Sequence, residues 1–267
     1  MAALRICTVN EVDLELEDKV VLVTGGAKGI GEAIVRALVD EGAIAVIVDR
    51  DIEAGNRLHG QIPASELILA ELSSAESCYA SVQKTIERFG RLDGLVNNAG
   101  VDDRIGLEHE SPDRYVESLQ RNLLHYYNMA HYALPHLKKT HGTIVNVGSK
   151  TAITSQEGRS GYASSKGAIL ALTRDWAAEL LAYRIRVNAV VPAEVMTPLY
   201  RQWVGKFPAL AGKLEKILDE VPLDRRMTTL EEIAVVVVFL ISCQASHITG
   251  QHIFVDGGYV AVDQALT

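Results

Sequence analysis

Short apolar runs rich in β-branched residues alternate along the chain with longer segments whose apolar residues recur at helical spacing. Such runs are typical of strands buried on both faces of a parallel sheet. The predicted strands span 19–24, 43–48, 67–70, 92–96, 143–147, 185–191 and 252–255. Helices are predicted between the first two strands and at 74–89, 111–139, 161–181 and 228–241. The alternation predicts an α/β fold, a doubly wound sheet with helices on both faces.

No linker divides the 267 residues, so one domain is predicted over 19–267. Residues 1–18 are rich in acidic side chains and lack the apolar core of a signal peptide. They are predicted to form a poorly ordered N-terminal extension. Residues 199–227 show no strong periodicity and include Pro222, and Pro198 stands directly before them. Because long segments at the mouth of a site are often lids, this segment is predicted to be a flap over the substrate.

The composition favours a globular protein with a small-molecule partner. Hydrophobic residues make up 48% and charged residues 22% of the chain, which is ordinary for a domain with a large core. The formal net charge of −8, without a cluster of Lys and Arg, argues against a nucleic-acid partner. The longest apolar run, 233–241, is too short to span a membrane. Cys7, Cys78 and Cys243 form no CxxC pair, so a reducing compartment, the cytoplasm, is expected.

Histidines are the residues that would most readily suggest a metal. His125, His131, His136 and His141 stand six, five and five residues apart. These spacings do not place pairs on one helical face, as the HExxH spacing of zinc sites does. The sequence therefore predicts no metal site.

A glycine-rich turn follows the first strand at 24–31 and precedes a helix. Exposed backbone N–H groups and the helix dipole at such a turn bind the pyrophosphate of a dinucleotide. The predicted cofactor residues of this turn are Gly25, Lys28, Gly29, Ile30 and Gly31. Strand, turn and helix in this order predict a dinucleotide site.

Asp49, at the end of the second strand, is the predicted contact to the adenosine ribose. A carboxylate there accepts hydrogen bonds from both ribose hydroxyls of NAD and repels the 2′-phosphate of NADP. Lys28 and Arg50 act in the opposite direction, since each can pair with that phosphate. The sequence favours NAD and leaves NADP open.

Tyr162 and Lys166 stand one turn apart on one face of a predicted helix. A lysine ammonium in that position is expected to lower the pKa of the phenol and make Tyr162 an acid/base group. The same chain carries the turn at Thr24–Gly31, the sequence Asn97-Asn98-Ala99-Gly100, Asn122, and Ser149 thirteen residues before Tyr162. In this order and spacing, the set resembles the short-chain dehydrogenase/reductase family.

The resemblance runs from Lys19 to about Tyr259 and implies a seven-stranded Rossmann fold. It implies that Tyr162 exchanges the proton of the substrate hydroxyl and that Ser149 hydrogen-bonds the same oxygen. It also implies that Lys166 holds the nicotinamide ribose and that Asn122 completes a proton relay. The further cofactor residues that it implies, together with Tyr162 and Lys166, are Glu71, Leu72, Asn98, Ala99, Gly100, Pro192, Val195 and Thr197.

The substrate is the least constrained part of the interpretation. Residues 121–132 and 192–200 resemble the members of this family that oxidise L-fucose, a 6-deoxy sugar, at its anomeric carbon to a lactone. A sugar needs polar groups and an aromatic face, and the candidate residues are Lys150, Gln156, Glu194, Tyr200 and Trp203.

Two alternatives remain open at this point. One is a 3-oxoacyl or hydroxysteroid dehydrogenase/reductase, which needs a more apolar mouth. The other is a catalytically idle NAD-binding regulatory subunit, against which the complete set Asn122, Ser149, Tyr162 and Lys166 speaks. By analogy with the family, the chain is expected to form a homotetramer or homodimer.

Overall fold

The computed structural model describes residues 13–197, 200 and 217–262. Its strands are β1 (Val20–Thr24), β2 (Ile44–Asp49), β3 (Glu66–Leu69), β4 (Gly94–Asn97), β5 (Thr143–Val147), β6 (Arg186–Pro192) and β7 (His252–Val255). The main helices are α1 (Gly29–Asp40), α2 (Ile52–Gln61), α3 (Ala75–Phe89), α4 (Pro112–Leu119), α5 (His125–Thr140), α6 (Ser160–Glu179) and α7 (Leu230–Ile241).

The strands form one parallel sheet in the order β3-β2-β1-β4-β5-β6-β7. The order reverses direction at β1 and β4, which opens a crevice at the carboxyl ends of these strands. The predicted doubly wound, seven-stranded fold is confirmed, and the predicted strand ends are at most two residues from the observed ones.

Successive residues of the central strands enter two separate cores. Val21 and Val23 pack in one core with α1, α2 and α7, while Val20 and Leu22 pack in the other with α3, α5 and α6. Because side chains of a strand alternate between faces, a continuous apolar run needs helices on both sides. The layers therefore follow directly from the β1 sequence.

Local signals set several helix ends. Ser74 accepts a hydrogen bond from the Ser77 N–H at the start of α3, and the segment begun by Ser111 has Pro112 in its first turn. Thr229 and Glu232 form a reciprocal capping box at the start of α7. A π-helical segment, Gln120–Leu124, separates α4 from α5 within the one long helix that the sequence predicts.

The structure differs from the sequence prediction in one helix and at the N-terminus. The sequence yields no prediction for α2, whose interior contains Gly55 and Gly60 and therefore has weak helical propensity. Leu16 is buried in the core, so the packed body begins before Lys19, within the predicted extension. Residues 1–12 and most of the predicted flap, 199 and 201–216, lie outside the described residues.

Candidate active site

The turn after β1 requires glycine at Gly25 and at Gly31. Gly25 has φ +63°, in the region that favours glycine. A Cβ added to Gly31 would lie 2.1 Å from the carbonyl oxygen of Gly25. The turn thus presents bare backbone and the N-terminus of α1, which begins at Gly29 and Ile30, to the crevice. This cradle fits a dinucleotide pyrophosphate.

The segment after β4 is fastened to the glycine turn. The Thr24 hydroxyl accepts hydrogen bonds from the backbone N–H groups of Asn98 (2.9 Å) and Ala99 (3.1 Å). The Asn98 amide donates to the carbonyl oxygens of Thr24 and Gly25 at 2.9 and 3.1 Å. The two turns that the sequence assigns to the cofactor therefore lie side by side.

Asp49 is held at the end of β2 by backbone donors. Its carboxylate accepts from the N–H groups of Ala27 and Asp51, both at 3.0 Å. Asp51 in turn pairs with Lys28 at 2.5 Å. The carboxylate thus has a fixed orientation at the rim of the crevice, and Lys28 already has an anionic partner.

Arg50 also has an anionic partner, the Glu71 carboxylate at 2.9 Å, and both side chains are exposed. Glu71 helps to line a cavity of about 430 Å³, together with Arg50, Ser73, Val101, Asp103 and Arg121. The Leu72 side chain is buried in the core beneath the sheet. Leu72 is therefore left with only its backbone to contact a cofactor, whereas Glu71 lines this cavity.

The predicted acid/base residues converge at the end of β5 and the start of α6. Lys166 is buried, and its ammonium donates to the Val147 carbonyl (2.9 Å) and to the Tyr126 hydroxyl (3.1 Å). Its Nζ lies 5.5 Å from the centroid of the Tyr162 ring. A Cβ added to Gly100 would lie 3.8 Å from the same Nζ, so the segment after β4 reaches this point as well.

The charge state of the pair differs from the sequence expectation. Burial raises the pKa of Tyr162 to about 12, Asp102 acts in the same direction, and a hydrogen bond with Ser149 acts against them. Burial lowers the pKa of Lys166 to about 7. Contrary to the expectation that Lys166 lowers the phenol pKa, the pKa of Tyr162 is raised. Desolvation outweighs the lysine, because its ammonium is bonded to other oxygens.

Asn122 is buried in the π-helical segment between α4 and α5. Its side-chain oxygen accepts a hydrogen bond from the Val101 N–H at 2.7 Å. A Cβ on Gly100 would lie 3.1 Å from that oxygen, so the small residue permits the contact. Asn122 therefore joins the helix to the segment after β4, next to Lys166.

A second cavity of about 370 Å³ contains four of the five predicted substrate residues, Lys150, Gln156, Glu194 and Tyr200. Trp203, the fifth, lies outside the described residues. The lining residues that the sequence interpretation missed are Arg104, Glu157, Gly158, Arg159, Ile217, Glu220 and Tyr259. Tyr259 could have been found from the sequence, because it follows the carboxyl end of the last strand, and ligands bind at the carboxyl ends of the strands in such sheets.

The charges of this cavity are paired within the protein. Lys150 forms a buried ion pair with Glu194 and lies 3.7 Å above the ring of Tyr259. Arg159 donates to the Asp102 carboxylate at 2.8 Å. The cavity is thus strongly polar, and the charges of Lys150 and Arg159 are each balanced by a carboxylate of the protein.

The segment after β6 connects this cavity to the crevice. Pro192 ends β6, and the side chain of Val195 is buried. The Thr197 hydroxyl accepts a hydrogen bond from the Tyr200 N–H at 3.1 Å. The residues assigned to the nicotinamide and those assigned to the substrate therefore lie on one continuous segment.

Across 13–197, 200 and 217–262, no group of three or more His, Cys, Asp or Glu side chains is arranged to hold a metal ion. No helix in that part of the chain is long and apolar enough to cross a membrane.

Comparison with known proteins extends over nearly the whole chain. A family model described as enoyl-(acyl carrier protein) reductase matches residues 25–260. L-fucose dehydrogenase of Bos taurus is 36% identical over 241 residues, which are 90% of this chain and 88% of that protein. The crystal structure of Cj0485 dehydrogenase is 43% identical with a TM-score of 0.92, covering 96% of this chain and 99% of that chain. Aldohexose dehydrogenase of Thermoplasma acidophilum is 31% identical with a TM-score of 0.86, covering 95% and 98%.

Proposed function

The chain belongs to the short-chain dehydrogenase/reductase family and is an NAD(P)-dependent oxidoreductase acting on CH–OH groups, and we propose that its substrate is a sugar. The reaction is the oxidation of the anomeric hydroxyl of L-fucose or a related aldose to the lactone. The interpretation as a catalytically idle subunit is set aside, since the relatives are dehydrogenases and reductases.

The polar cavity is the observation that carries the sugar proposal. Among its described lining residues, Ile217 is the sole aliphatic side chain. An acyl chain or a steroid needs a predominantly apolar wall. A sugar instead needs hydroxyl partners and an aromatic side chain, which Gln156, Glu194 and Tyr200 provide. Since Lys150 and Arg159 pair with carboxylates of the protein, a neutral polyhydroxy ligand fits better than an anionic one.

The roles of the acid/base residues follow from their positions. The glycine turn would hold the pyrophosphate of the dinucleotide, Asp49 its adenosine ribose, and the 192–197 segment its nicotinamide, which would supply the hydride acceptor. Tyr162 accepts the proton of the anomeric hydroxyl as its own phenolic proton leaves toward Lys166, and Ser149 hydrogen-bonds the same oxygen and stabilises its developing charge. With a pKa near 7, Lys166 takes up and releases a proton readily at neutral pH, whereas Tyr162 does not. Lys166 passes the proton onward: it releases one of its own N–H protons toward Asn122 as it receives the proton from Tyr162, and it is an ammonium before and after the transfer.

The sugar proposal is tested by a screen of aldoses, secondary alcohols, hydroxysteroids and 3-hydroxyacyl thioesters in which NADH or NADPH formation is followed directly. L-Fucose and L-galactose, which share hydroxyl configuration, are expected to be oxidised with kcat/KM at least about 10²-fold above apolar secondary alcohols. A site that pairs substrate hydroxyls discriminates strongly against analogues that lack them. If a hydroxysteroid or a 3-hydroxyacyl thioester exceeds every aldose in kcat/KM, the sugar proposal is wrong and the dehydrogenase assignment stands.

NAD is the proposed cofactor, with Asp49 as its main determinant. The two cations that can receive a 2′-phosphate, Lys28 and Arg50, are each paired with a carboxylate. Asp49→Ser is expected to raise the ratio of kcat/KM for NADP to that for NAD about tenfold or more, since the repulsive charge is removed. Asp40→Asn, at the exposed end of α1, is the matched control and should leave the ratio unchanged. A wild-type enzyme that already prefers NADP would contradict the proposal.

We also propose that the enzyme is a cytoplasmic homo-oligomer, a tetramer or a dimer. Two exposed apolar side chains, Val116 and Leu124, lie on α4 and the π-helical segment and are candidates for a subunit contact. Cys78 and Cys243 are free thiols, which suits a reducing compartment.

A further inference from the structure

The ammonium of Lys166 is anchored from behind by two oxygens that also contact each other. One is the Val147 carbonyl at the end of β5, and the other is the hydroxyl of Tyr126 on α5. The Tyr126 hydroxyl donates to the same Val147 carbonyl at 2.9 Å. The three groups form a closed triangle of hydrogen bonds within the protein interior.

Tyr126 does more here than fill space. Its side chain has no exposed surface, so its hydroxyl is desolvated and needs partners, which Val147 and Lys166 provide. A phenylalanine would fill the same volume without that requirement. Desolvation raises the pKa of Tyr126 well above its ordinary value, so the group remains a neutral phenol. As a neutral phenol it accepts a hydrogen bond from the ammonium while donating its own hydrogen to the carbonyl.

The triangle fixes the direction of the remaining donor of Lys166. An ammonium has three N–H groups, and Val147 and Tyr126 take two of them. The third is left for the side of Gly100 and Tyr162, where the crevice lies. With a single anchor the Nζ could swing about the lysine stem. Two anchors hold it in one place.

We propose that Tyr126 is a positioning residue for Lys166: its hydroxyl holds the ammonium charged and oriented toward Tyr162 and the ribose of the cofactor. This role rests on the proposed function, in which Lys166 serves the proton relay. It also explains why a tyrosine is buried beside the π-helical segment. An apolar residue there would avoid the free-energy cost of burying a polar group.

Other titratable groups face this cluster and shape its pH dependence. The ring of His125 lies 4.9 Å from that of Tyr126, and burial lowers the pKa of His125 to about 4, so it is neutral at the pH of an assay. The charged groups that act on the neighbouring Tyr162 are Asp102, Asp103 and Arg159. None of these contacts changes when the Tyr126 hydroxyl alone is removed.

Tyr126→Phe removes the hydroxyl and keeps the ring, so it tests the anchor. We expect kcat with the best aldose to fall about tenfold, the scale of one hydrogen bond to a charged group. The alkaline limb of the kcat profile should move about one unit to lower pH, because the hydrogen bond favoured the charged form of Lys166. The Kd for NADH, measured by fluorescence without turnover, should rise several-fold. A merely structural role would lower the melting temperature and leave the alkaline limb in place.

Tyr127→Phe is the matched control, since this tyrosine is the next residue, is half exposed and stacks near His131 rather than Lys166. It should leave kcat, the Kd for NADH and the pH profile unchanged. If Tyr162→Phe is inactive while Tyr126→Phe keeps the wild-type kcat, Kd and alkaline limb, the positioning role is wrong and the proposed function stands. If Tyr162→Phe is itself fully active, the failure lies in the proposed acid/base chemistry.

Discussion

Tyr162→Phe is expected to lower kcat about 10³-fold while leaving the Kd for NADH within about twofold of wild type. A positioned acid/base group contributes on the order of 10²–10⁴-fold, and the substitution removes only the proton-carrying hydroxyl. The ring still packs at the start of α6, and the glycine turn and Asp49 are distant from the change. The measurement pairs steady-state oxidation of the best aldose with fluorescence titration of NADH.

A tyrosine with a surface hydrogen bond serves as the control. Tyr115 donates its hydroxyl to Ser164 at 3.1 Å on the exposed side of α6, so Tyr115→Phe removes a similar group without touching the crevice. It should retain wild-type kcat. Full activity of Tyr162→Phe would remove the acid/base assignment, and a loss of NADH binding in the same proportion as kcat would show that Tyr162 acts mainly by binding the cofactor.

The sequence predicts the sheet and the position of the crevice because both depend on local patterns. Apolar runs identify strands buried on two faces, and every strand of a parallel sheet ends at the same edge. Ser149 and Asn98 each stand two residues after a predicted strand, and the structure brings their segments to the crevice edge. The glycines of the first turn likewise predict the dinucleotide site from sequence, since a pyrophosphate site of this kind needs a strand, a glycine turn and a helix in that order.

The charge states and long-range contacts of the site depend on distances that no local pattern encodes. Whether Lys166 or desolvation controls the Tyr162 pKa is decided by burial and by the oxygens that bind the ammonium. Tyr126 lies 40 residues from Lys166 in the chain, and Lys150 lies 44 residues from Glu194. Such pairs form only when α5 packs beside α6 and β5 beside β6, so single residue types at single positions do not predict them.

The pair of Lys150 and Glu194 yields the second large effect. Both side chains are buried, so Glu194→Leu leaves an ammonium without its counter-charge in the cavity wall. Removal of one partner of a buried ion pair costs about 3–5 kcal/mol of unfolding free energy. We therefore expect a large fall in the midpoint of chemical denaturation for Glu194→Leu. Glu194→Gln, which keeps an acceptor for Lys150, should lose less.

The double variant Lys150→Met/Glu194→Leu separates the structural role of the pair from its role with the substrate. Replacing both charges with apolar side chains is often neutral for stability, so the double variant should recover most of the lost unfolding free energy. It should not recover sugar oxidation, since an apolar wall no longer pairs the hydroxyls of an aldose, and kcat/KM for L-fucose should stay about 10²-fold below wild type. Recovery of both properties would show that the pair only stabilises the fold and that the sugar is bound elsewhere.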